Sequence, residues 1–182
     1  MNGDFEKLAE SRRSCRSYNP DKKVSKEVLD KIVDVALLAP SACNSQPWFI
    51  HYTNKPELCE VIASATQNLG FNRFTSDCTA FAVISETKPN LKESAGAKLT
   101  GRDFVGNDIG LVTAYLTFAA KDEGLDTCII GSFNEKKINA LLSLPENNKI
   151  ALVVAIGYAK DSDEPKPKKR KERSLTAKAL TE

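Results

Sequence analysis

A chain of 182 residues, 41% hydrophobic and 27% charged, has the material for one globular domain, which at this size buries roughly 70% of its unfolded surface. A net charge of +2 leaves no broad basic excess for nucleic acid, and the single histidine, His51, excludes most metal sites and any two-histidine scheme. No apolar run approaches the ~20 residues that span a bilayer, Met1–Glu6 lacks the halves of a secretory leader, and five scattered cysteines read as free thiols, so the chain is expected in the cytoplasm.

In chain order, residues 4–11 read as a short helix with Phe5, Leu8 and Ala9 on one face. An arginine-rich stretch follows and turns at Pro20-Asp21. Ser25 is a good N-cap for a helix carrying Val28, Leu29, Ile32, Val35 and Ala36, and Pro40 stops it. Phe49–Thr53 reads as a strand, 57–65 as a helix and Ala80–Ser85 as a second strand. Residues 86–102 are polar, contain Pro89, Gly96 and Gly101, and are expected to form a mobile or weakly structured excursion. The longest helix is predicted over 103–122, apolar on more than one side and ended by Gly124. Thr127–Ile130 is a short strand, and Asn134 caps a helix with Ile138, Leu141 and Leu142 that Pro145 closes. Ile150–Tyr158 is an almost continuous apolar run, which predicts a strand buried on both faces. From 161 the composition changes: Asp161, Asp163 and Glu164 precede two prolines and six basic residues between 166 and 173, with Leu175, Ala179 and Leu180 as a last contact segment.

Three segments carry chemistry. Arg12-Arg13-Ser14-Cys15-Arg16-Ser17-Tyr18 interleaves guanidinium forks with hydroxyls, which suits a phosphate monoester on a polyol chain, although cations at a helix end also favour the helix dipole. Ala39–Trp48 holds Pro40, Ser41, Asn44 and Gln46. Its prolines fix the backbone, its small residues permit close approach, and its amides suit the edge of a heterocycle. Trp48 reads first as a core anchor and, as the only tryptophan, also as a candidate for a dimer interface. Gly124–Phe133 is a buried strand leaving through Gly131, where a flat ligand can lie on bare backbone.

Taken in this order, with Phe71-Asn72-Arg73 ahead of a strand and Ile156-Gly157-Tyr158 ahead of a basic tail, the segments resemble the nitroreductase family over roughly residues 5–173. The resemblance implies an α+β fold, a three-layer α-β-α sandwich with a mixed, mainly antiparallel sheet flanked by helices. It implies one domain over 1–160 and a basic extension, 161–182, that completes the FMN and dimer contacts. It further implies a homodimer binding FMN between its subunits, with NAD(P)H as donor and a nitroaromatic, quinone or similar small molecule as acceptor in a ping-pong cycle, and neither nucleic acid nor membrane as partner. By that likeness Arg12, Arg13 and Ser14 hold the phosphate and ribityl end, and Lys168 and Arg170 complete the phosphate site. Arg16 reaches the N1–C2 carbonyl edge and stabilises the reduced flavin. Pro40, Ser41 and Asn44, with Gln46 beside them, come from the partner subunit; Asn72 sits at the pyrimidine side; Ile130 and Gly131 lie along the ring near N5.

No catalytic side chain is required, because the flavin carries the hydride, and no metal is implied. Cys128, inside an apolar strand, reads as inert packing. The chain departs from the family in its modest 86–102 segment, which suggests an open substrate pocket, and in Ile129, where an aromatic often stands. An FMN-binding or sensor protein with little turnover would look the same at these positions, and a basic tail is also compatible with a nucleic-acid arm.

Overall fold

Capping residues place most of the helices, and each cap is worth about 1 kcal/mol. Ser25 accepts from the Val28 N–H at 3.3 Å and opens α2 (Lys26–Ala36). Asn134 does the same for the Lys137 N–H at 3.1 Å and opens α6 (Glu135–Leu141). Asp103 caps α5 (Phe104–Asp122) through the Gly106 N–H, and Gly124, at φ 76°, turns the chain after it. The remaining helices are α1 (Asp4–Ser11), α3 (Pro56–Thr66) and α4 (Leu91–Thr100). The computed structural model describes residues 4–145 and 148–180; Met1–Gly3, Glu146, Asn147 and Thr181–Glu182, which include the ends of both expected segments, lie outside the described residues.

Helix α4 corrects the expectation of a weakly structured excursion. Asn90 caps it by accepting from the Glu93 N–H at 2.9 Å, and Gly101, at φ 68°, closes it onto the Ala97 carbonyl. No apolar stripe announced it, because its one buried residue is Glu93. Both carboxylate oxygens of Glu93 are buried without a hydrogen-bond partner among the described residues.

The sheet has the order β1-β2-β4-β3, from β1 (Trp48–Thr53), β2 (Ala80–Glu86), β4 (Ile150–Gly157) and β3 (Asp126–Ile130). All three ladders are antiparallel, with Ile50 opposite Ile84, Ala82 opposite Val154 and Cys128 opposite Ala155. The expected parallel component reduces to one bridge, Ser14 beside Thr127.

Central strands β2 and β4 send alternate side chains to opposite faces, and helices cover both. Ala82, Ile84, Val154 and Ile156 pack with Leu29 and Ile32 of α2 and Val112 and Leu116 of α5. Phe81, Val83, Val153 and Ala155 pack with Ile62 of α3 and Ile138 of α6. The α-β-α sandwich is therefore present. Trp48 is 7% exposed inside the α2–α5 core, which settles it as a core anchor and corrects the interface expectation. Part of the exposed apolar surface is gathered elsewhere, where Phe5, Leu8, Val35, Tyr115 and Phe118 line an open groove of about 520 Å3 between α1, α2 and α5.

Candidate functional site

The arginine segment leaves α1 and is stapled to the outer edge of the sheet. Cys15 donates its N–H to the Thr127 carbonyl at 3.0 Å, and Asn19 donates to the Tyr158 carbonyl at 2.8 Å. Cys15 and Tyr18 are fully buried, which turns Ser14 and Arg16 outward and leaves Arg12 half-buried. Arg13 goes another way. Its guanidinium pairs with Asp163 at 2.7 Å and with Asp126 at 3.7 Å, and it also reaches the Asp163 carbonyl at 3.3 Å. Arg13 thus fastens the start of the basic tail to β3.

Beyond that clasp the tail returns to α1, where Lys168 Nζ donates to the Ala9 carbonyl at 2.5 Å, in the turn where the helix dipole is negative. Desolvation, followed by the charges of Arg12 and Arg170, holds the Lys168 ammonium below its ordinary pKa. On β3, burial pushes the Cys128 thiol up, and the charges of Arg16 and then Arg12 pull it back in part. Arg12 and Arg170 thus lie close enough to Lys168, and Arg16 and Arg12 to Cys128 on β3, for their charges to be felt there. None of the four cations forms an ion pair among the described residues. Glu10 is the one carboxylate felt at Lys168, and more weakly than either arginine, so the cations outnumber it and favour an anion beside them.

The exit of β3 lies beside this cluster. Ile130 turns its side chain into the α3–α6 core, so only its backbone faces the edge, while Ile129 is 40% exposed. At Gly131 an added Cβ would meet no heavy atom within 4 Å, so no contact among the described residues demands a glycine there. Asn72, in the left-handed region at φ 54°, donates to the Thr66 carbonyl at 3.1 Å. The preceding carbonyl, Ala65, receives the Asn134 N–H at 2.8 Å, which brings Asn72 to the loop that follows Gly131.

Pro40, Ser41, Asn44 and Gln46 stand apart from these residues. Their loop precedes β1, at the opposite edge of the four-stranded sheet from β3. Three strand spacings put the two edges about 14 Å apart. No hydrogen bond or ion pair among the described residues joins the loop to the arginine segment. Ser41 Oγ accepts from the Gln46 N–H at 2.9 Å, and Gln46 Nε2 donates to Asn44 Oδ1 at 3.1 Å. That pairing leaves a donor on Asn44 and an acceptor on Gln46 facing outward, since both residues are exposed.

Residues 9–71 and 51–158 match the model of the Nitroreductase family. The chain belongs to the nitroreductase family. It is 30% identical over 159 residues to an Archaeoglobus fulgidus protein with the provisional name NADH dehydrogenase/NAD(P)H nitroreductase, covering 85% of each chain. Among solved structures, a nitroreductase-like protein of Streptococcus mutans superposes with a TM-score of 0.82 at 18% identity over the whole of both chains. A protein of Exiguobacterium sibiricum, provisionally described as a nitroreductase and solved in complex with FMN, superposes at 0.80 with 23% identity over 97% of each chain. Membership makes this chain an NAD(P)H oxidoreductase of the nitroreductase type.

Other reactive groups of this nitroreductase are held quiet. Burial pushes the thiols of Cys15 and Cys59 up to about 11 and those of Cys78 and Cys128 upward too, leaving Cys43 as the exposed cysteine. No cluster of histidine, cysteine, aspartate and glutamate suited to a metal exists among the described residues, and no helix among them is long and apolar enough to cross a membrane. Sequence reasoning missed the acids that organise the site: Asp126 and Asp163, which engage Arg13, and Asp108, whose carboxylate accepts from the Ala42 N–H. Asp108 did leave a signal, as a charge among Val105, Ile109 and Val112 in an apolar helix.

Proposed function

We propose that this nitroreductase-family protein is an FMN-dependent NAD(P)H oxidoreductase, working in the cytoplasm as a homodimer and passing hydride to a nitroaromatic, quinone or similar small acceptor. The observation that carries the reading is the grouping of Arg12 and Arg170 with Lys168: none of the three forms an ion pair among the described residues, and the one acid felt at Lys168, Glu10, acts less than either arginine. Its donor set fits a phosphate monoester, because guanidinium forks and an ammonium supply many donors and no acceptor. Bare backbone at Gly131 fits a flat ring beside it. The Exiguobacterium sibiricum protein of the same fold binds FMN, and the Archaeoglobus fulgidus relative bears an NAD(P)H nitroreductase name.

In this reading Arg12, Ser14, Lys168 and Arg170 hold the phosphate and ribityl end, while Arg13 is the clasp that delivers the tail. Arg16 offers a cation to the ring edge that gains negative charge on reduction. Asn72 serves the pyrimidine side, and the Ile130 and Gly131 backbone lies along the ring. When bound, FMN would supply the hydride chemistry that links NAD(P)H to the acceptor. The side chains bind, orient and exclude water, and none needs to exchange a proton.

The edge-to-edge separation of the two half-sites supports the homodimer. Within one chain, Pro40, Ser41, Asn44 and Gln46 lie across the sheet from the cations, so a second copy supplies them. The open groove lined by Phe5, Leu8, Val35, Tyr115 and Phe118 supplies apolar surface for such a contact. The test is a titration of the purified protein with FMN and with riboflavin, which lacks the phosphate, followed by steady-state NAD(P)H oxidation with a quinone. One FMN per chain, bound far more tightly than riboflavin, with turnover, is expected. Equal affinities refute the phosphate site, and tight FMN without turnover marks a binding or sensor protein.

A further inference from the structure

Asp108 is 3% exposed on α5, a helix that otherwise buries Ile109, Val112 and Leu116. Both of its carboxylate oxygens accept one N–H, that of Ala42, at 3.1 and 3.0 Å. A buried carboxylate aimed at a single backbone N–H holds it more strongly than a neutral acceptor would. The loop it grips is strained: Cys43, Asn44 and Gln46 all lie in the left-handed region, at φ 51°, 50° and 49°. Non-glycine residues adopt that conformation at a cost, and several within four positions persist only where the surroundings dictate them.

Helix α4 grips the same loop from another side. The Asn90 N–H donates to Ser45 Oγ at 2.7 Å, and Asn90 Nδ2 donates to the Cys43 carbonyl at 3.1 Å. Anchored by α5, by α4 and by its own Ser41–Gln46 bond, the loop leaves free the outward donor of Asn44 and the acceptor of Gln46. A donor and an acceptor side by side complement the alternating edge of a pyrimidine ring.

We propose that Asp108 is a positioning residue that acts at a distance from the flavin. By fixing the Ala42 N–H, it holds Asn44 and Gln46 in the left-handed conformations that recognise the pyrimidine edge of the flavin bound by a second copy. Asn90 is its auxiliary. The inference rests on the FMN reading above and adds the device that presets the ring-binding loop.

The experiment compares full-length wild type, Asp108→Ala and Asp108→Asn in titrations with FMN and with riboflavin, alongside visible spectra of the bound flavin. Because Asp108 serves the ring and not the phosphate, Asp108→Ala weakens both ligands by the same factor, roughly 10- to 100-fold for a lost charge-assisted bond. It also shifts the flavin absorption bands. Asp108→Asn keeps one oxygen for the Ala42 N–H and recovers most of the affinity. Should Asp108→Ala fail to fold, Asn90→Asp gives a second route: it keeps the cap on Glu93 but replaces the donor to the Cys43 carbonyl with an oxygen, and it too weakens FMN and riboflavin equally. Unchanged binding and spectra in a folded Asp108→Ala protein, or a loss confined to FMN, overturn the inference and leave the FMN reading intact. A wild type that binds neither flavin overturns both.

Discussion

Replacing Arg12 with alanine separates a binding role from a structural one. Arg12 is half-buried, near Lys168 and Arg170, and has no ion pair among the described residues, so its removal orphans no buried acid. A hydrogen bond to a charged group nets roughly 1.5–3 kcal/mol, so loss of one such contact to phosphate raises the FMN Kd roughly 10- to 100-fold. Riboflavin affinity stays unchanged, because the contact is to the phosphate. The protein without flavin moves in the opposite direction: like charges repel, and the pKa of Lys168, held down by desolvation and then by Arg12 and Arg170, rises toward its ordinary value. Its Tm stays level or increases. Fluorescence titration with both flavins at fixed low salt, with thermal melts of the flavin-free protein, reads all of this. Equal loss of riboflavin and FMN, or a flavin-free Tm lowered by several degrees, would show that Arg12 holds the fold and not the phosphate.

Glu93, buried at 1% exposure with both oxygens unpartnered among the described residues, is a liability to stability. Glu93→Leu is expected to raise stability by roughly 1–3 kcal/mol in chemical denaturation, and destabilisation would reveal an unseen partner. Burial lowers the His51 pKa below its ordinary 6.5, so the unfolded chain binds the proton first as the medium acidifies. Stability is therefore full above about 6.5 and falls as pH drops toward the lowered folded-state value, and His51→Gln flattens that part of the profile. With four thiols buried and pushed up, one cysteine per native chain should react with a thiol reagent at neutral pH, and Cys43→Ser should abolish that reaction. Two or more fast thiols in the wild type refute it.

Local chemistry was legible and long-range partnership was not. Ser25, Asn134 and Gly124 marked helix ends because a cap depends on residues only a few positions away. The β2 and β4 cores were legible as apolar runs. Helix α4 was not, because it turns a glutamate inward and leaves Leu91 and Leu99 exposed, which erases the usual periodicity. The cations of the candidate site were visible as a motif, but Arg13 could not be told from Arg12. What distinguishes them is Asp163, 150 residues further along the chain. Likewise Asn44 and Gln46 read as free amides, while the left-handed loop that carries them is bonded to Asp108 of α5 and to Asn90, the cap of α4.

The Arg13–Asp163 clasp has a further consequence. From 164 to 180 every residue is exposed, so Lys168 reaches α1 on a strap with no apolar anchor. What fastens that strap is electrostatic at a partly exposed position, and the phosphate pocket proposed for it is electrostatic as well. Ionic strength therefore acts twice on the same equilibrium, screening the ligand's charge and loosening the hand that grips it. Occupancy will fall more steeply with salt than the number of phosphate contacts alone would dictate.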